Sequence, residues 1–338
     1  MNIVIIGGTR FMGPSIVQSL HAAGHKVTIF HRGSTRIELP EGVNEILGDL
    51  NQLTERADVL RRQKADVVLN MMAATEEQAR QFMEVFSGFA GRVVVISSQD
   101  VYRAFGRVNG TEGGEIDPAP LSEESPLREN LYPHRDIPGG ESAEYDKILV
   151  ERVVMNSPEL PATLLRLPAV YGPRDFQHRM FIYLKRMLDG RPAILLEEDV
   201  ANWRWTHGYV ENVVDAIILA ISNERASGRI YNVGEPFALS MAERVAQIAQ
   251  AAEWHGRVVT LPTEQVPEKM RWGINATQNV VADSSRIRHE LGYSERIDLT
   301  EAFRRTIAWE RANPPEKIDP EMFDYETEDR ALARAENS

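Results

Sequence analysis

The run Ile3-Val4-Ile5-Ile6-Gly7-Gly8-Thr9-Arg10-Phe11-Met12-Gly13 constrains the fold more than any other segment of the chain. Four consecutive β-branched residues suit a strand buried on both faces, and the glycines allow a tight turn into a helix. Such a turn points bare backbone N–H groups and the positive helix end at an anion, the arrangement that seats a dinucleotide pyrophosphate. Gly7 and Gly8 permit the turn and a close approach. Gly13 permits tight packing of the helix on the sheet.

Strands are expected at 2–6, 26–30, 43–47, 67–70, 93–97 and 163–167, with helices over 12–23, 53–62, 76–86 and 142–156. Short apolar runs alternating with amphipathic helices indicate an α/β protein with a Rossmann-type, doubly wound parallel sheet. Residues 103–140 read as a loop rich in Gly, Pro and Glu. The second half is less regular, with helices expected at 176–188, 210–221, 241–251, 284–291 and 300–310, and short strands at 193–196, 230–233 and 258–261. Ser240 and Glu243 have capping-box spacing. This pattern suggests a smaller C-terminal substrate lobe of non-contiguous segments. The expected division is 1–170 plus about 206–234 for the dinucleotide and about 171–205 plus 235–326 for the substrate, with 327–338 a polar tail.

The 338 residues carry a formal charge of −12 and no cysteine. That balance disfavours non-specific binding to nucleic acid or an anionic membrane. No apolar stretch reaches the roughly 18 residues of a membrane span, and no basic leader precedes the first strand. A cytoplasmic protein is expected. Disulfides and thiolate metal ligands are excluded. The histidines show no HxxH or HExxH spacing, so no metal site is expected. Neither a GxSxG elbow nor a P-loop occurs.

The second strand ends in Phe30-His31-Arg32-Gly33, and no acid occupies residues 28–37. A carboxylate here holds the ribose hydroxyls of NAD, whereas an arginine binds a 2′-phosphate. The expectation is NADP(H) as the preferred cofactor, with NAD possible and Arg10 adding a second charge. Asp49 is placed to accept the adenine amino group, and Ala73 leaves room beside the fourth strand.

With Gly48-Asp49-Leu50, Ser97-Ser98-Gln99-Asp100-Val101-Tyr102, Lys147 to Glu151, Arg166-Leu167-Pro168-Ala169-Val170-Tyr171-Gly172-Pro173, Tyr209 to Val213 and Tyr231-Asn232-Val233-Gly234, the chain resembles the extended short-chain dehydrogenase/reductase superfamily in its NAD-dependent epimerase/dehydratase branch. Arg10 stands where that pattern has glycine, as in an atypical subgroup with a Gly-Gly-Thr-Arg-Phe signature. Some members of that subgroup lack ordinary redox activity, and plant relatives are associated with RNA. The resemblance implies a cofactor site of Gly7, Gly8, Thr9, Arg10, Phe11, Met12, Gly13, Arg32, Asp49, Leu50, Ala73, Lys147 and Pro168. It also implies a nucleotide-sugar or related polyol as substrate, and a homodimer.

In such enzymes a tyrosinate takes the hydroxyl proton, a lysine four residues on lowers its pKa and holds the nicotinamide ribose, and a Ser or Thr orients the substrate oxygen. Ser98 and Lys147 match, but the tyrosine position is Ala143, while Tyr145 precedes Lys147 by only two residues. Residues two apart on a helix do not share a face. Three accounts stand open. The helix starts late and Tyr145 swings in, giving the catalytic set Ser98, Tyr145 and Lys147. Alternatively Tyr102, Glu144, Asp100 or His134 moves the proton. Or the site binds cofactor without this chemistry, as a regulatory or scaffold protein. On the substrate side Arg179, Arg204 and His207 are expected to form an anion pocket. Trp203 and Trp205 either stack on a base or sugar or pack between the lobes.

Overall fold

The computed structural model describes residues 1–35, 37–135 and 143–337. Its strands are β1 (Asn2–Ile6), β2 (Lys26–His31), β3 (Asn44–Leu47), β4 (Val67–Asn70), β5 (Arg92–Ser98), β6 (Ala162–Leu167), β7 (Ala169–Tyr171), β8 (Ala193–Glu197), β9 (His207–Tyr209), β10 (Ile230–Asn232) and β11 (Arg257–Leu261). Its helices are α1 (Gly13–Ala22), α2 (Ala57–Arg61), α3 (Glu76–Phe86), α4 (Arg103–Val108), α5 (Lys147–Met155), α6 (Phe181–Leu188), α7 (Glu198–Asn202), α8 (Val210–Ser222), α9 (Met241–Ala251), α10 (Ser285–Leu291), α11 (Leu299–Ala312) and α12 (Tyr325–Glu336).

Seven strands form one parallel sheet in the order β10-β6-β5-β4-β1-β2-β3. The doubly wound Rossmann-type architecture is therefore present. Alternation along β1 divides its side chains between two layers. Ile3 and Ile5 join a core with Ile16, Val17 and Leu20 of α1 and Val213 and Ile217 of α8. Val4 and Ile6 face Phe82 and Phe86 of α3 and Val150 and Val154 of α5.

The C-terminal lobe is assembled from separate segments. Helices α6 and α7 and strand β8 leave the sheet region, α8, β10 and α10 return to it, and α9, α11 and α12 pack with the departing segments. Strand β8 pairs in parallel with β11, and β7 with β9. The capping box at α9 forms as the spacing indicates, Ser240 Oγ accepting the Glu243 N–H and the Glu243 carboxylate accepting the Ser240 N–H.

Three expectations are corrected here. Residues 327–338, read as a polar tail, carry α12 through Glu336, with Glu328, Ala331 and Leu332 buried. Arg186 holds this helix, its Nε and Nη2 donating to Glu328 Oε1 at 3.0 and 2.7 Å. The 103–140 stretch, read as a loop, begins with α4. The helix expected from Ser142 starts in the structure at Lys147. Ser142, with the Gly139-Gly140 pair before it, lies outside the described residues. No helix among the described residues is long and apolar enough to cross a membrane.

Candidate active site

Strand β1 delivers the chain into the glycine turn, where Gly7 and Gly8 take φ of 99° and 91°. The Gly7 N–H donates to the Phe30 carbonyl at 2.9 Å, tying the turn to β2. A Cβ on Gly13 would lie 2.3 Å from the Gly8 carbonyl carbon, so only glycine lets α1 start this close to the turn. Among the described residues no side chain caps α1, and its first turn holds no acid. Its N-terminal dipole is available to an anion, and the cradle fits a dinucleotide.

Around it, Arg10 Nε donates to Thr35 Oγ1 at 3.1 Å. Phe11, with φ of 46°, meets the ring of Phe176 edge-on at 6.4 Å. Thr9 and Met12 are half-buried in the turn. Asp49 caps the short turn that begins at Leu50, its Oδ1 accepting the Asn51 N–H at 2.9 Å. Arg32 is exposed just past β2. Pro168 lies between β6 and β7, against Gly208.

The candidate proton-handling groups gather at the exit of β5. Asp146 has extended backbone (φ −159°, ψ 109°) and caps α5, its Oδ1 accepting the Ile148 N–H at 2.8 Å. Tyr145 therefore precedes the helix, and the helical-face objection to pairing it with Lys147 does not apply. Its hydroxyl donates to Asp100 Oδ2 at 2.6 Å. The His134 ring lies 5.0 Å from the Tyr145 ring. Ser98 Oγ accepts the Asp100 N–H at 3.1 Å. Lys147 Nζ donates to the carbonyls of Ala73 at 2.6 Å and Ile96 at 3.1 Å.

Burial pushes the Asp100 carboxyl above its ordinary value; the Tyr145 hydrogen bond and the charges of Arg128, Lys147 and His134 pull the other way. Arg128, itself buried, donates through Nε to the Asp100 carbonyl at 2.6 Å and reaches Asp146 Oδ1 at 3.5 Å.

Two alternatives raised by the sequence take structural positions. Tyr102 is fully buried, donating to Asn232 Oδ1 at 2.7 Å and accepting from Arg166 Nη1 at 3.0 Å. Burial holds its phenol up at about 12. Glu151 accepts from Arg166 at 2.9 and 2.7 Å and from Ser97 Oγ at 2.6 Å. Glu144 and Ala143 are exposed.

The substrate-side trio is not held together as expected. Arg179 Nη1 donates to Asp175 Oδ1 at 2.7 Å. His207 is buried, with Nδ1 2.8 Å from the Trp205 carbonyl. Burial first, then the charges of Arg244 and Arg179, hold its pKa well below the ordinary value. Arg204 is directed elsewhere, donating to the Ala238 carbonyl at 2.7 Å and Glu243 at 3.0 Å beside the α9 cap. Trp203 packs, its Nε1 donating to the Gln278 carbonyl at 2.7 Å. Sequence reasoning missed Arg128, Asp146 and Arg244. Asp146 alone carried a local signal, an acid directly before the apolar run of a helix.

The model of the NAD dependent epimerase/dehydratase family matches residues 3–234. The chain is 25% identical over 277 residues to the 2'-dehydrokanamycin reductase of Streptomyces kanamyceticus, covering 80% of this chain and 72% of that protein. It is 26% identical over 224 residues to the dTDP-glucose 4,6-dehydratase of an Actinoplanes species, covering 66% of this chain and 61% of that one. Among solved structures it resembles the UDP-glucose 4-epimerase of Thermotoga maritima, with TM-score 0.70, 18% identity and coverage of 92% and 99%. It also resembles MoeE5 in complex with UDP-glucuronic acid and NAD, with TM-score 0.67, 24% identity and coverage of 92% and 99%.

The expectation of NADP as preferred cofactor is overturned by these neighbours. MoeE5, the Bacillus anthracis dTDP-glucose 4,6-dehydratase and the Bordetella bronchiseptica enzyme WbmG are all captured with NAD. Arg32 lies on open surface, where solvent screens a single cation, and Arg10 is engaged by Thr35. The glycine cradle, the sheet order and a match over more than half its length place this chain in the NAD-dependent epimerase/dehydratase family.

Proposed function

We propose that this protein uses NAD to epimerise, dehydrate or reduce a nucleotide-linked sugar or related polyol, with Tyr145 as the proton-transferring group. The observation that carries the reading is the 2.6 Å hydrogen bond from the Tyr145 hydroxyl to buried Asp100. The turn from Gly7 to Gly13, with Asp49, Leu50, Ala73 and Pro168, holds the cofactor between β1, β4 and β6. Residues 1–170 and 206–234 form the cofactor half, and the remaining segments up to α12 cover the substrate. NAD, when bound, would supply a hydride acceptor for oxidation of the substrate, and a net reduction would draw its hydride from the reduced form, NADH.

The chain's own residues manage the proton. As the substrate hydroxyl gives its proton to the Tyr145 oxygen, the Tyr145 proton passes to Asp100 Oδ2. The raised pKa of Asp100 suits a carboxylate that must accept a proton. The Lys147 ammonium favours the anionic state of this pair. Ser98 accepts from the Asp100 amide and keeps its own O–H to orient the substrate oxygen. The net charge of −12 supports a small-molecule substrate over a nucleic acid.

The test incubates the protein and NAD or NADH with a panel of UDP- and dTDP-sugars. Reduced nicotinamide is followed by absorbance and redox-neutral products by mass spectrometry. Tyr145→Phe is expected to bind NAD normally and turn over roughly 10²–10⁴-fold more slowly. Failure to bind NAD, or full activity in Tyr145→Phe, overturns the reading.

A further inference from the structure

We propose that Arg244 on α9 is the cation that seats an oxyanion of the substrate, phosphate or carboxylate, with Arg179 and His207 completing the seat. The proposal rests on the reading that the chain handles a charged sugar derivative. It assigns a residue outside the 3–234 stretch that the family model matches.

Arg244 is 3% exposed, and its Nη2 donates to Glu235 Oε2 at 2.9 Å. Among the described residues, its Nε and Nη1 are buried without a hydrogen-bond partner. A guanidinium presents its N–H groups in a rigid fork, and an oxyanion is the ligand that fits two of them at once. The fork is held in place, since its central carbon lies 5.3 and 5.5 Å from the ring centroids of Tyr171 and Phe303. The Tyr183 hydroxyl is a second buried polar group without a partner among the described residues, and the charges of Arg186 and then Arg244 act on it. Tyr183 also lines a separate cavity of about 230 Å³ between α6 and β8, whose lining includes Arg186 and not Arg244.

The charges at His207 point the same way. The side chains acting on its ring are Arg244 from α9 and Arg179 from the segment before α6, both cations. The carboxylates of the neighbourhood are already engaged, Glu235 by the Tyr171 hydroxyl and Arg244, and Asp175 by Arg179. With Nδ1 donating to the Trp205 carbonyl, the neutral ring carries its proton on Nδ1 and leaves Nε2 to gain one. An oxyanion seated beside it offsets the two arginines and favours that protonation. Binding is therefore coupled to proton uptake.

The experiment is calorimetric titration of the NAD-saturated full chain with inorganic phosphate, UDP and glucuronate, in two buffers of different ionisation enthalpy. At least one oxyanion is expected to bind with proton uptake, and the UDP and glucuronate arms separate phosphate from carboxylate. Arg244→Lys keeps the charge but not the fork and is expected to weaken binding roughly tenfold or more, with NAD affinity unchanged. His207→Asn is expected to bind without the proton uptake. Equal affinity in the wild type and Arg244→Lys overturns the assignment, as does the absence of oxyanion binding to protein that still binds NAD. Loss of NAD binding itself strikes the earlier reading instead.

Discussion

In the proposed mechanism Asp100 decides which proton chemistry the exit of β5 can run. Its carboxyl is buried, with Oδ1 unpartnered among the described residues and Oδ2 taken by Tyr145. Desolvation favours the neutral acid, so the folded chain binds a proton here more tightly than the unfolded chain does. The stability that this group contributes is full below its ordinary value of 3.8 and is lost as pH rises through the raised folded value. Asp100→Asn is expected to slow turnover by roughly 10²-fold or more and to remove the acidic limb of the pH–rate profile. Stability at neutral pH should hold or rise, because a buried charge disappears. An unaltered acidic limb would assign that limb to another group. His207 has the opposite sign. Its folded pKa lies well below 6.5, so its contribution is full above 6.5 and is lost as pH falls toward the depressed value. His207→Gln should flatten that decline, as read by urea midpoints on either side of 6.5.

At the scale of elements, the start of α5 sets the position of Tyr145. Asp146 accepts from the Ile148 N–H, from the Tyr132 N–H at 2.7 Å and from Arg128. Asp146→Ala should cost about 1 kcal/mol for the cap alone, more with Arg128 left unpaired, and should lower turnover by letting Tyr145 drift from Asp100. Asp146→Asn keeps a capping oxygen and should recover most of the stability, measured by denaturant unfolding beside turnover. This element also marks where the sequence was legible. The β-branched runs of β1, β2, β4 and β5 announce buried parallel strands, and glycine marks the turn after β1, so the parallel sheet could be read directly. The apolar spacing from Ile148 to Val154 announces a helix without locating its first residue. The helix register that made Tyr145 and Lys147 seem incompatible came from that missing boundary. Arg244 was illegible for another reason. Helical spacing says nothing of a guanidinium whose flanking rings, Tyr171 and Phe303, come from distant segments and whose carboxylate partner, Glu235, precedes the helix.

Across the whole molecule, α12 shows how a polar segment becomes part of a core. Its composition gives little apolar signal, yet Ala331 and Leu332 are two of the six buried residues in the cluster with Ala193, Leu195, Leu261 and Val266. The pair that fixes it, Arg186 and Glu328, joins residues 142 positions apart, and both side chains are 2% exposed. Arg186 also donates to the Met322 carbonyl at 2.7 Å, and both residues line the cavity shared with Tyr183. Removing one member of a buried pair strands the other charge, whereas an exposed pair is largely screened. Glu328→Ala should therefore cost about 3–5 kcal/mol. Asp329→Ala removes the neighbouring, more exposed partner of Arg191 and should cost about 1 kcal/mol or less. Both are measured by urea unfolding of the NAD-free chain. Equal losses would mean that α12 docks through its surface charges, and the small C-terminal core would then not depend on the buried pair.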